Sequence, residues 1–207
     1  MSSAPRLFLA AELPFSLRSA LSPLLRKLAR LDPELRPARA DGLHVTLRFL
    51  GRVEAVAEAS IHALAGRVAS EAEPFVLSLE GMGTFPGKSR PRVLWAGVGE
   101  GRPELSRLAA ALGAGLAAEA CQRAPSPFRA HCTLARLPES LGPRSAQALA
   151  EFCDRGLGPP PLRATIDFLA LLESVPVSLG PNRYPRRARW RLGGPEPAHH
   201  SKGRPYH

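Results

Sequence analysis

Apolar positions along the chain switch between two spacings. Arg6–Leu13 (RLFLAAEL) is a short, mostly apolar run closed by Pro14, which predicts a strand. Leu17, Leu21, Leu24, Leu25, Leu28 and Leu31 then recur at helical spacing, with Pro23 inside the pattern as an expected kink or late start. Pro33 and Pro37 mark a loop, and Leu43–Gly51 (LHVTLRFLG) predicts a strand ended by its glycine. Ala57, Ile61, Leu64 and Val68 form a helical stripe between Glu54 and Ser70, and PFVLSLEGMG alternates like a strand.

The second half repeats this order. Arg92–Val98 (RVLWAGV) predicts a strand, and Leu105, Leu108, Leu112 and Leu116 a helix. FRAHCTLARL predicts a strand, and residues 143–153 a short helix anchored by Leu149 and Phe152. LRATIDFLALLE and NRYPRRARWRL predict two closing strands. Strand–helix–strand–helix–strand therefore occurs twice, at a period far too long for a solenoid. The expectation is one α+β domain over residues 1–192, built as two lobes related by a pseudo-two-fold axis, with a disordered tail over residues 193–207.

Composition narrows the class. At 207 residues and 44% hydrophobic content the chain fits an ordinary globular protein. No apolar run approaches the ~20 residues that span a bilayer, and Glu12 and Pro14 interrupt the early apolar stretch, so a cytoplasmic protein is expected. Cys121, Cys132 and Cys153 form no metal-ligand spacing and read as reduced thiols. The net charge of +10 is uneven: residues 183–207 hold 7 basic and 1 acidic residue, net +6. Such a surface suits a polyanion such as RNA, and also suits a solvated face in a chain where Arg far outnumbers Lys. On a strand, Arg187, Arg189 and Arg191 share one face and could line a track for RNA phosphates.

The candidate chemistry lies in the one phrase written twice, LHVTLRFLG and AHCTLARL, in matching slots of the two halves. Alternation puts His44 and Thr46 on one face with Val45 and Leu47 behind, and does the same for His131 and Thr133 with Cys132 and Leu134. Across a pseudo-dyad, two imidazoles and two hydroxyls would surround one cleft. Two groups that titrate near neutrality can pass one proton in and another out. In-line displacement at phosphorus needs that, with Thr hydroxyls and an Arg holding the non-bridging oxygens. No Cys or carboxylate set at zinc spacing accompanies the histidines, so no metal and no other cofactor is expected. Cys132 faces away from His131 and reads as a small apolar filler; His199 and His200 look incidental.

These residues resemble the 2H phosphoesterase superfamily, and within it the bacterial RNA 2′,3′-cyclic phosphodiesterases, also called 2′–5′ RNA ligases. RLFLAAELP, LHVTLRFLG, GMGTFPGKSRPRVLWAGV and AHCTLARL match family stretches in the family's order, across roughly residues 5–192. The resemblance implies two lobes of antiparallel sheet with outer helices around a central cleft. It implies His44 and His131 as the catalytic pair, and Thr46, Thr133 and Arg136 as phosphate ligands. Strict alternation puts Arg136 on the face opposite His131, so its role requires a twist or a bulge. Phe8 matches an aromatic near the site, suited to stacking on a base or to core packing. The implied activity is metal-independent hydrolysis of RNA 2′,3′-cyclic phosphate ends to 2′-phosphates by a monomer, with 2′–5′ joining as the reverse reaction. His44 is expected as proton donor to O3′ and His131 as acceptor from water, although the near-symmetric motifs fit either assignment. Two other readings are a hydrolase of a small nucleotide such as ADP-ribose 1″,2″-cyclic phosphate and a noncatalytic RNA-binding module. The chain departs from the family in RPARADG before the first motif, in Ala130 before the second His and in its basic end, which bear on recognition of the substrate rather than on the chemistry.

Overall fold

The computed structural model describes residues 4–87, 90–117, 127–178 and 180–195. Its elements are β1 (Arg6–Glu12), α1 (Phe15–Ala29), β2 (Arg36–Pro37), β3 (His44–Arg52), α2 (Ala55–Ser70), β4 (Phe75–Phe85), β5 (Val93–Val98), α3 (Arg102–Ala117), β6 (His131–Arg136), α4 (Pro143–Arg155), β7 (Leu162–Ile166), β8 (Phe168–Glu173) and β9 (Arg186–Arg191). Pro23 lies inside α1, which starts at Phe15, so it does not delay the helix. Leu17, Leu21, Leu25 and Leu28 of that helix are buried, each stabilising the fold by roughly 1.5–3 kcal/mol through burial.

All strands join one antiparallel sheet in the order β7-β4-β5-β6-β3-β1-β8-β9, with β2 alongside the end of β6. The pseudo-dyad passes between β6 and β3, which touch through a single register pair, Val45 with Cys132. One lobe is β3-β1-β8-β9 and the other is β6-β5-β4-β7. The lobes are not the two halves of the chain. β4, which closes the first half, pairs with β5 and β7, whereas β8 pairs with β1. Helices are exchanged as well: α1 packs on β6 and β7, and α3 on β3.

The single strand expected over residues 162–173 is two strands, broken at Asp167. β7 is the outer edge of one lobe and β8 belongs to the other. One residue can join them because the sheet curls until its ends approach. The core-facing parity changes at the break, from Leu162, Ala164 and Ile166 to Leu169 and Leu171. The main hydrophobic core lies between the sheet and the helices, and a small cluster of Phe8, Ala10, Ala170 and Leu172 lies on the opposite, concave face. Only residues 193–195 of the expected tail are described; residues 196–207, with His199 and His200, and Cys121 lie outside the described residues.

Candidate active site

His44, Thr46, His131 and Thr133 are half-buried on the concave face, while Val45, Leu47, Cys132 and Leu134 are buried beneath them. The alternation expected from the two phrases thus holds through the first four residues of each. Beyond that point both strands bulge. In β3, Ala10 pairs with Thr46 and Leu9 with Arg48, so Leu47 is the extra residue. In β6, Trp95 pairs with Thr133 and Leu94 with Ala135, so Leu134 is the extra residue. One added residue reverses the parity of the positions after it. Phe49 and Arg136, each five positions after its His, therefore return to the concave face. Arg136 pairs with Val93, on the face that carries Trp95 and Thr133. Its placement satisfies the condition that strict alternation had denied it.

Each imidazole is held in the same way. His44 Nδ1 lies 2.7 Å from the Gly42 carbonyl oxygen, and His131 Nδ1 lies 2.6 Å from that of Arg129. A carbonyl only accepts, so each Nδ1 carries the proton and donates it. Among the described residues nothing bonds to either Nε2, which leaves both for a reacting molecule. An aromatic ring buttresses each imidazole edge-to-face: Tyr184 against His44 at 5.0 Å and 79°, and Phe85 against His131 at 4.9 Å and 89°. Tyr184 also packs so closely on Gly42 that a Cβ there would lie 3.1 Å from its ring. Sequence reasoning missed Phe85, brought to His131 by the pairing of β4, β5 and β6, and Tyr184, brought to His44 by the loop before β9; the repeated bulge that exposes Phe49 was readable only as the recurrence of Leu at the fourth position.

Electrostatics separates the two histidines. Burial, joined by the nearby charge of His131 and opposed by the Gly42 carbonyl bond, brings His44 down from the usual 6.5 to about 4. His131 is also lowered by burial and by the Arg129 guanidinium, against its own carbonyl bond. Arg129 stacks over the Phe85 ring at 4.5 Å. Cys132 is buried and its thiol pushed up to about 12, which makes it an inert packing group.

Two expected features change. Phe8 is 2% exposed, with His44 at 4.9 Å, Tyr184 at 5.5 Å and Phe49 at 5.8 Å around it. It is the floor of the site and has no free face for a base; its partner Phe49, 58% exposed, has one. Of the three arginines expected on one face, Arg189 and Arg191 share it and Arg187 does not. A bulge opposite Leu171 and Leu172 turns Arg187 toward α2, where it pairs with Glu58 and also with Glu173. Arg186 and Arg189 instead both pair with Glu12, at 2.9 and 3.2 Å. Among the described residues, no three His, Cys, Asp or Glu side chains gather as metal ligands, and no helix is long and apolar enough to cross a membrane.

Two His-x-Thr strands meeting at the seam of a bilobal antiparallel sheet, each with a free Nε2 above a common concave face, define a two-histidine phosphoesterase. The family model for the 2′-5′ RNA ligase superfamily matches residues 16–176, and the chain belongs to that family. It is 32% identical to the RNA 2′,3′-cyclic phosphodiesterase of Archaeoglobus fulgidus over 176 residues, 85% of this chain and 94% of the relative. It is 36% identical to that of Escherichia coli over 137 residues, 66% of this chain and 74% of the relative. Its fold is similar to the crystal structure of TT0787 of Thermus thermophilus (TM-score 0.74, 30% identity, 91% of this chain and 98% of the other). It is also similar to E. coli LigT complexed with 3′-AMP (TM-score 0.70, 30% identity, 91% of this chain and 98% of the other).

Proposed function

We propose that the protein hydrolyses RNA 2′,3′-cyclic phosphate ends to 2′-phosphates, with His44 and His131 as its acid–base pair. The observation that carries this is the pair of imidazoles with Nδ1 anchored and Nε2 free on one face. Water attacks phosphorus as one Nε2 takes its proton. The P–O3′ bond breaks as the other Nε2 gives a proton to O3′, leaving a 2′-phosphate and a 3′-hydroxyl. Thr46 and Thr133 donate to the non-bridging oxygens, and Arg136 adds a charged donor. Phe49 offers the exposed ring on which the terminal base stacks. The same groups, with roles exchanged, would join ends through a 2′–5′ linkage.

The expected assignment makes His44 the donor and His131 the acceptor. One observation favours the reverse: burial depresses His44 so far that its neutral, proton-accepting form dominates the free site. The donor role for His44 then depends on the substrate's negative charge raising it on binding.

One chain supplies both imidazoles, so the reading is of a monomer, acting in the cytoplasm. The test compares turnover of a cyclic-phosphate-ended oligonucleotide, a cyclic mononucleotide and ADP-ribose 1″,2″-cyclic phosphate, with and without chelator. A 2′-phosphate product from the RNA, insensitive to chelator, is expected. Turnover of the ADP-ribose derivative alone selects the small-nucleotide reading, and no turnover with retained RNA binding selects the noncatalytic one.

A further inference from the structure

We infer that Arg36, on the short strand before the first motif, grips a second RNA phosphate beside the reacting one, with Arg136 between the two phosphates. The inference rests on the RNA reading above and adds a residue and a ligand group to it. Arg36 and Arg136 are direct register partners between β2 and β6. Such partners point to one face with Cβ atoms about 5 Å apart, and like charges so placed repel. The parity change at Leu134 puts that face on the concave side, with Val93 on the other flank of Arg136. Both side chains are exposed, and neither makes an ion pair among the described residues.

What sets this pair apart is that its two side chains are register partners on one face beside the site. Arg92, next to Val93, is taken by Glu139 at 2.6 Å. Arg186 and Arg189 are taken by Glu12, and Arg187 by Glu58 and Glu173. Three of the five arginines between Arg183 and Arg191 are thus paired within the fold. Two guanidiniums left facing each other without a carboxylate form a site for an anion, and the planar donor fork of Arg suits phosphate oxygens.

Position says which phosphate. Arg136 lies three residues past Thr133, roughly 10 Å at about 3.3 Å per residue. Arg136 can reach back toward the phosphate held by Thr133. Arg36, on the far side of Arg136 from β5, extends the positive surface outward by one strand, to where the next phosphodiester of an RNA strand would lie. A mononucleotide has no phosphate there.

The test measures binding, by fluorescence anisotropy, of a trinucleotide ending in a 2′-phosphate and of a nucleoside 2′-phosphate, which need no turnover. Arg36→Gln should weaken trinucleotide binding about 10-fold and lower the slope of log K against log salt by about 0.7. It should leave the mononucleotide unchanged, and Arg36→Lys should keep most of the slope. Arg136→Gln should weaken both ligands. Unchanged trinucleotide affinity and slope with Arg36→Gln overturn the inference. Equal losses on both ligands overturn it too, because Arg36 would then hold the terminal phosphate. An equal slope change in Arg187→Gln also overturns it, since general surface charge would account for the effect. If Arg36→Gln behaves as expected while the wild type turns over no cyclic phosphate, the grip stands and the hydrolase reading fails.

Discussion

Val45 and Cys132 are register partners across the seam between β3 and β6, and both are 0% exposed. That pair sets the distance between the two chemical strands. His44 and Thr46 flank Val45 on the other face, and His131 and Thr133 flank Cys132. Antiparallel pairing puts each His diagonal to the other, with a Thr beside each. A phosphate above the seam therefore meets an imidazole on either side, the arrangement that in-line displacement requires.

Replacing either His44 or His131 by Ala should lower turnover of a cyclic-phosphate-ended RNA by at least about 100-fold, the lower range of general acid–base contributions. Steady-state kinetics on the purified variants checks this. Near wild-type rates in either one would sink the paired mechanism.

The two roles can be told apart with an aryl phosphodiester whose leaving group needs no protonation. Removing the general acid should cost such a substrate much less than it costs the RNA end, whereas removing the base should cost both alike. If His44 is the donor, His44→Ala should retain far more of its aryl activity than His131→Ala does. The opposite ranking would assign the donor role to His131.

The pH profile is set by burial. Both imidazoles are lowered in the free protein, His44 to about 4. The proposed mechanism needs one protonated and one neutral His, so the alkaline limb of kcat/KM, which is loss of the acid's proton, is expected below the ordinary value of about 6.5. The limbs belong to the pair, since the two charges interact. A bound phosphate raises both, so kcat should peak at higher pH than kcat/KM. A kcat/KM optimum above pH 7 would contradict the burial of the pair.

Tyr184 should act on His44 through packing. Tyr184→Ala removes the ring 5.0 Å from the imidazole and loosens Gly42, whose carbonyl holds Nδ1. An edge-to-face contact contributes about 0.5–1.5 kcal/mol, so kcat should fall roughly 2- to 10-fold with KM little changed. Tyr184→Phe should stay near wild type. If Tyr184→Phe loses as much as Tyr184→Ala, the hydroxyl and not the ring carries the effect.

The duplicated strand–helix order, the two His-x-Thr phrases and the side chains that alternate behind them are legible in the residue order alone. These are local properties: a period of two or 3.6 is written in neighbouring residues and survives in any tertiary setting. The break at Asp167 was present too, as a change of apolar parity, but a shift of one residue inside an apolar run has no local meaning until each strand has a partner. Strand pairing itself came from the packed fold, because β4 and β8 cross between lobes and no local pattern records a partner so far along the chain. The same holds for the bulges after Thr46 and Thr133, which exist only as offsets in the ladders of β3 with β1 and of β6 with β5 and which bring Phe49 and Arg136 to the site. Charge shows the same division. The residue order shows five arginines between Arg183 and Arg191, whereas Glu12, Glu58 and Glu173, brought in from other elements, decide that three of them are paired. Arg36 and Arg136, 100 positions apart, come face to face only through the pairing of β2 with β6.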